Sequence, residues 1–260
     1  MKNPLMSRIG TALVDWTNYI IDVNRINILN ESSIKYAISE LLEVIKTDQK
    51  VNSKSRAPMY GNMPSILNYK FEFTHPIFSD RSIDLQIEGS YSEENYSFME
   101  FKFVTKESTQ SDKLQLYAND IFRLYALAKD TDKSVSTYFL AIGEMDIYKE
   151  VFGIENRKQN PKMKISEKDF EPDNTNRPST KFFNILLPQD FNMPLNIDLS
   201  ACDYINGFLS RFNEDYEYRD ETKKIENTDT VKIDLEFSNL NSMDYRSNKT
   251  MAVQIWHIYN

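Results

Sequence analysis

Residues 81–104 read RSIDLQIEGSYSEENYSFMEFKFV, two runs of alternating apolar and polar side chains joined by a polar segment. In 81–88 the residues Ile83, Leu85 and Ile87 fall on every second position, and in 98–104 Met99, Phe101 and Phe103 do the same. A period of two belongs to a strand with one face on a core. The segment 89–96, rich in Ser, Glu and Asn, suits the turn of a hairpin. The opposite faces carry the chemistry. Asp84 projects away from Ile83, Leu85 and Ile87, while Glu100 and Lys102 share a face with Phe98 and Val104. Pairing the two strands can bring Asp84 beside Glu100 and Lys102. Two carboxylates that converge repel each other unless a cation lies between them, and hard oxygen ligands on a strand pair suit Mg²⁺ or Mn²⁺.

Working outward, Tyr69, Phe71 and Phe73 alternate with Lys70, Glu72 and Thr74, a third strand closed by Pro76. Before it, Ile34, Ala37, Ile38, Leu41 and Ile45 make a helical stripe running to about Lys46, with Asn30 or Ser32 as N-cap. A further amphipathic helix is expected over 6–29, from Ile9, Ala12, Leu13, Trp16, Tyr19, Ile20, Val23 and Ile26. The segment 47–67 reads as loop. After the hairpin, 110–129 is helical, with Leu114, Tyr117, Ala118, Ile121, Leu124, Tyr125 and Ala128 on one side. Residues 134–142 then form a short apolar run that reads as a buried strand. The expected order over 30–142 is thus α, β, β, β, α, β.

Residues 157–180 are polar and locally basic through Arg157, Lys158, Lys162, Lys164 and Lys168, a long loop whose lysines are either a solvated surface or a phosphate-tracking arm. Strand-like runs return at 181–187, 231–237 and 251–258, with a short helix around 204–212. The division is a body over 1–153 and a β-rich extension over 154–260 packed on it. Ile-Asp-Leu occurs three times, at 83–85, 197–199 and 233–235, but neither Asp198 nor Asp234 precedes an E-x-K strand.

Composition narrows the function classes. With 260 residues, 40% hydrophobic and 13% aromatic, the chain has ample apolar surface for a core and is not a disordered protein. Its net charge of −8 excludes a polybasic nucleic-acid coat, so any phosphate partner must be met by a local patch. Two His and one Cys cannot build a zinc cage, and a lone Cys forms no internal disulfide. With six Gly there is no P-loop and no dinucleotide fingerprint. Neither a membrane span nor a secretion signal is legible, and a cytoplasmic location with no membrane partner is expected.

Asp84, followed on the next strand by Glu100-Phe101-Lys102 within the α-β-β-β-α-β order, resembles the PD-(D/E)XK nuclease superfamily, the restriction-endonuclease-like fold. The resemblance spans about residues 30–142. It implies an α/β (α+β) core with a central mixed sheet flanked by helices, here with an extra N-terminal helix and a C-terminal β-rich extension. It also implies Mg²⁺- or Mn²⁺-dependent hydrolysis of DNA phosphodiester bonds, with Asp84 and Glu100 as metal ligands and Lys102 as the catalytic lysine. Ile83 stands where the motif's name has Pro. The rival reading is an inactive restriction-like fold acting as a binding or assembly subunit, and oligomer state is left open.

Such nucleases often draw a further acidic ligand from the first core helix. With Ile34 at zero on a helical wheel, Glu31 falls at about 60°, beside Ile38 and Leu42, while Glu40 and Glu43 fall at roughly 240° and 180°. Glu31 is therefore the candidate third ligand, its alternative role being to complement the helix dipole. The string 30–36, Asn-Glu-Ser-Ser-Ile-Lys-Tyr, is also similar to an Asn-Glu opening in some restriction-like families. On the second core helix Lys113 and Gln115 flank the apolar stripe, where they can reach the metal site or a phosphate. RecB-type relatives carry Gln and, four residues on, Tyr; here Asn119 follows Gln115. Asp120 and Arg123 are spaced for an intrahelical ion pair. His75 and His257 read as packing or hydrogen-bonding residues.

Overall fold

A computed structural model describes residues 3–52, 65–91, 94–129, 135–152, 187–188, 194–199, 203–240 and 250–260. The loop expected over 157–180, with its five basic residues, and 181–186 of the expected strand lie outside these.

The chain begins with helix α1, Pro4–Asp22. Asn3 caps it by accepting from the Leu5 N–H, and Pro4, which lacks an N–H to satisfy, opens it. The helix stops short of the expected residue 29 because Asn24 adopts φ 55°. The N–H groups of Asn24 and Arg25 then donate back to the carbonyls of Ile21 and Ile20, closing a Schellman motif. Helix α2, Glu31–Asn52, follows. Asn30 caps it in a reciprocal box: the Ser33 N–H donates to Asn30 Oδ1, and the Asn30 N–H donates to Ser33 Oγ, each at 2.9 Å. That box starts the helix at Glu31 and outlasts the expected end at Lys46.

Strands β1 (Ser65–Thr74), β2 (Ser82–Tyr91) and β3 (Glu94–Val104) form an antiparallel meander. Helix α3 (Ser111–Ala128) leads to β4 (Val135–Glu144), which lies parallel to β3. Helix α4 (Met145–Phe152) and the short strand β5 (Leu195–Asp198), neither legible in the sequence, come next. Helix α5 (Asp203–Asp215) and strands β6 (Thr230–Asn239) and β7 (Met251–Tyr259) complete the chain. The seven strands among the described residues join one mixed, mostly antiparallel sheet in the order β1-β2-β3-β4-β7-β6-β5.

Two cores sandwich that sheet. On one face α1 and α2 pack Ile9, Leu13, Ile34, Ile38 and Leu42 onto Leu85, Met99, Phe101, Leu140 and Val253. On the other, α3, α4 and α5 pack Ile121, Phe122, Tyr148 and Phe212 onto Phe98, Phe139, Ala141 and Trp256. Burial on both faces explains why β4 reads as a continuous apolar run rather than an alternation. Trp256 of β7 fixes that side by donating from Nε1 to the Pro188 carbonyl at 2.8 Å.

The strands near Asp84 depart from simple alternation. Tyr69 and Phe71 pack with the α2-side core, but Phe73 packs with the α3-side core; Leu85 and Ile87 likewise face α2 while Ile83 faces α3. The expectation that Ile83 shares a face with Leu85 and Ile87 is therefore corrected. Both crossings occur at one level, since Phe71 pairs with Leu85 and Phe73 with Ile83. Between them Glu72 adopts φ 49°, a left-handed conformation that costs a non-glycine residue on the order of 1–2 kcal/mol and rotates the strand. On the other side the β2–β3 ladder ends at Leu85–Met99, although both strands continue. Asp84 occupies the gap, its Oδ2 accepting the Phe101 N–H at 2.8 Å.

At the far end of β3, Gly143 of β4 pairs with Val104, and a Cβ added there would stand 2.7 Å from the Val104 carbonyl oxygen. Backbone cannot yield as a side chain does. Gly143→Ala is expected to destabilise the protein by about 1–3 kcal/mol, read as a lower urea midpoint with an unchanged slope.

Candidate functional site

The gap between β2 and β3 collects the charged side chains of four elements. β2 supplies Asp84, β3 supplies Glu100 and Lys102, α2 supplies Glu31 and Lys35, and α3 supplies Asp120 and Arg123. Asp84, Glu100, Asp120 and Arg123 are all buried. Asp84 and Glu100 lie close enough for each to act on the other's ionisation. Lys35 Nζ lies 2.8 Å from Asp84 Oδ1 and also pairs with Glu72. Lys102 Nζ lies 2.7 Å from Asp120 Oδ2 and 4.0 Å from Glu31 Oε2. Arg123 pairs with Asp120 on its own helix, approaches Glu100 Oε1 to 2.9 Å, and donates to the Ser82 carbonyl at 3.3 Å.

Each position has a local cause. The Asn30 box puts Glu31 in the first turn of α2, and Lys35 is one turn further on the same side. The alternation of β3 sends Glu100 and Lys102 to the α3 side, with Phe98 and Val104, as the sequence indicates. Asp120 and Arg123 sit on the face of α3 that meets them.

Burial and charge set the protonation states. Burial, reinforced by the charges of Asp120 and Asp84, pushes the Glu100 carboxyl well above the usual range against the pull of Arg123 and Lys102. Burial also works to raise Asp84, but the Lys102 charge, the neighbouring Glu100, and the hydrogen bonds of Lys35 and the Phe101 N–H outweigh it and hold its pKa low. Burial opposes the charge on Lys102, yet Asp120, Glu100, Asp84 and Glu31 overcome it and raise its pKa. Lys102 stays an ammonium, able to donate and to stabilise negative charge but not to act as a base. Glu31, at the half-exposed rim, is raised mainly by burial.

The donor chemistry of this cluster fits a divalent cation. Five carboxyls (Glu31, Glu72, Asp84, Glu100 and Asp120) face three cations (Lys35, Lys102 and Arg123), so full ionisation leaves two negative charges in excess. Glu100 Oε1 is buried without a hydrogen-bond donor, because the approach of Arg123 is close but poorly directed. Among the described residues no three His, Cys, Asp or Glu side chains form a metal-holding group by themselves. Mg²⁺ commonly takes one or two carboxylates and keeps water or substrate oxygens for the rest.

The structure thus brings Asp84, Glu100 and Lys102 together and places Glu31 at their rim. It does not bring in the other two candidates. Lys113 is exposed near Glu107, and Gln115 donates to Asn119 Oδ1 at 3.2 Å. Lys35 was legible but unread: it falls at about 100° on the wheel that selected Glu31. The Asp120–Arg123 pair is present as expected, and its reach to β3 is the part that sequence spacing does not reveal. No protein-family model, curated protein or solved structure matches this chain.

His75 lies behind the cluster, buried, with Nδ1 accepting the N–H of Ile77 at 3.1 Å and of Phe78 at 3.4 Å. Burial, with the nearby charges of Arg123 and Arg219, lowers its pKa to about 3. His257, by contrast, stacks between Tyr138 and Tyr259.

Two stability measurements follow. The unfolded chain binds a proton at His75 near pH 6.5 and the folded chain only near 3, so this histidine's contribution is complete above 6.5 and is lost as pH falls through that window. His75→Asn, which retains an acceptor for the turn, should remove a slope of about 1.4 kcal/mol per pH unit from acid denaturation between pH 6 and 4. For Glu100 the sign reverses, because a raised acid makes the folded state lose stability as pH rises above 4.5. Glu100→Gln, an isostere of the protonated form, should stabilise the protein by about 1 kcal/mol at pH 8 and by less at pH 5.

Proposed function

We propose that this chain is a divalent-metal-dependent nuclease of the restriction-endonuclease-like type, hydrolysing DNA phosphodiester bonds. The observation that carries the reading is the gathering of Asp84, Glu100 and Lys102 in one buried charge cluster between β2 and β3, with Lys102 two residues beyond Glu100 on the same face. The run α2, β1, β2, β3, α3, β4, with β3 and β4 parallel, supports it as the setting in which that triad belongs. Asp84 and Glu100 would hold Mg²⁺ or Mn²⁺, with Glu31 at the open side. The ion, when bound, polarises a phosphoryl oxygen and lowers the pKa of a water.

The protein's own groups do the rest. The Phe101 N–H fixes the Asp84 carboxylate, so one ligand is rigid before substrate arrives. Asp120 orients the Lys102 ammonium at 2.7 Å, leaving its remaining N–H bonds to face negative charge that develops on a scissile phosphate. Arg123 draws Asp120 and Glu100 into one network, so the α3 side of the site moves as a unit.

A second reading, a restriction-like fold without catalysis that serves as a binding or assembly module, is favoured by one observation. Asp84 and Glu100 already face cations of the protein itself, Lys35 and Arg123. The two readings separate by assay. Cleavage of plasmid and single-stranded DNA with Mg²⁺ or Mn²⁺ is expected for the wild type, with losses of about 10²-fold or more in Lys102→Ala and Glu100→Ala. Equal activity in all three, or none in the wild type, overturns the nuclease reading. Mn²⁺ binding that Asp84→Ala leaves unchanged removes the metal site as well.

A further inference from the structure

Among the described residues, Lys35 is the cation of the cluster that pairs with carboxylates on two strands. Its Nζ pairs with Asp84 of β2 and Glu72 of β1. The Asp84 oxygen it meets is Oδ1, while Oδ2 accepts the Phe101 N–H. A cation that approaches Asp84 through Oδ1 therefore meets Lys35 there. Glu72 lies toward solvent, its side chain 59% exposed, and is held by its left-handed backbone and by a hydrogen bond from Ser82 Oγ at 3.2 Å. A strained acid maintained one strand outward from Asp84 gives the Lys35 ammonium a second carboxylate to rest on.

We propose that Lys35 is a gating residue for the metal site: it competes with the divalent cation for Asp84 Oδ1 and, when displaced, transfers to Glu72. The inference rests on the metal reading given above. No bond is made or broken in this exchange; an ammonium leaves Asp84 as the cation arrives, and the charge of the Lys35–Glu72 pair is retained. The gate sets a threshold, so that metal loads only when its concentration, or a phosphate presented with it, outweighs the ion pair. Lys35 does not touch the reacting atoms in this scheme; its part is to control occupancy.

Calorimetric titration with MnCl₂ tests the proposal without reference to activity. Lys35→Met should bind Mn²⁺ about tenfold more tightly than the wild type. Lys35→Arg, which keeps the charge, should bind like the wild type, as should Lys46→Met, which removes a lysine three turns along the same helix near Tyr69. Glu72→Gln should weaken binding more in the wild type than in the Lys35→Met background, because its effect runs through Lys35. Lys35→Gln replaces Lys35→Met if the latter melts early. Wild-type binding that depends on Asp84 but is unchanged or weakened by Lys35→Met and Lys35→Gln overturns the gate and leaves the nuclease reading standing. Mn²⁺ binding by none of these proteins overturns both.

Discussion

The hydrogen bond from the Phe101 N–H to Asp84 Oδ2 is the interaction on which the arrangement of the charged residues depends. An ordinary antiparallel pair would satisfy that N–H with a carbonyl of β2. Here the ladder ends at Leu85–Met99 and a carboxylate takes over, a charge-assisted bond worth about 1.5–3 kcal/mol. The substitution keeps β3 satisfied while the two strands diverge. Into that divergence come Lys35 from α2 on one side and Arg123 from α3 on the other, the latter bonding the Ser82 carbonyl that the ladder no longer uses.

The main framework was legible in the sequence because it follows simple periods. Helices α2 and α3, the alternation of β3 and the buried run of β4 all stand where their apolar spacing puts them. Whereas Asp84 lies where the alternation of β2 breaks, the placing of Glu100 and Lys102 on the α3 side was legible for the same reason. Two kinds of information were not. The face change in β1 and β2 depends on a left-handed Glu72, and glutamate carries no sequence cue for that conformation, as Gly or Asn would. The partners Lys35, Asp120 and Arg123 come from two helices on opposite faces of the sheet, and only tertiary packing brings them to one gap. A similar limit applied to α1: Asn24 did mark its end, but the apolar spacing beyond it is taken up by a 3-10 turn at Ile26–Ile28.

The acidic balance acquires a local meaning. A net charge of −8 argues against broad attraction to nucleic acid, but at the β2–β3 gap the excess negative charge is what would retain a cation. The same cluster is a standing cost to stability. Glu100 is buried near Asp84 and Asp120, and burial with their charges raises its pKa, the mark of an ionised form that the fold disfavours. Sites that hold such unfavourable charge together are where function and stability pull apart.

The position of β7 between β4 and β6 has a consequence for how the molecule is assembled. β4 pairs with β7 from Thr137 to Glu144, and the β7 residues lie more than a hundred positions later in the chain. During synthesis the three-strand meander and β3–β4 can form early, yet one edge of the buried strand β4 stays unpaired until residues 251–259 have left the ribosome. Until then Phe139 lacks its Trp256 neighbour, and the exposed edge is a template for a strand from another chain. Folding speed is thereby governed by a long-range closure, and the nascent protein is most vulnerable to aggregation in the interval before it.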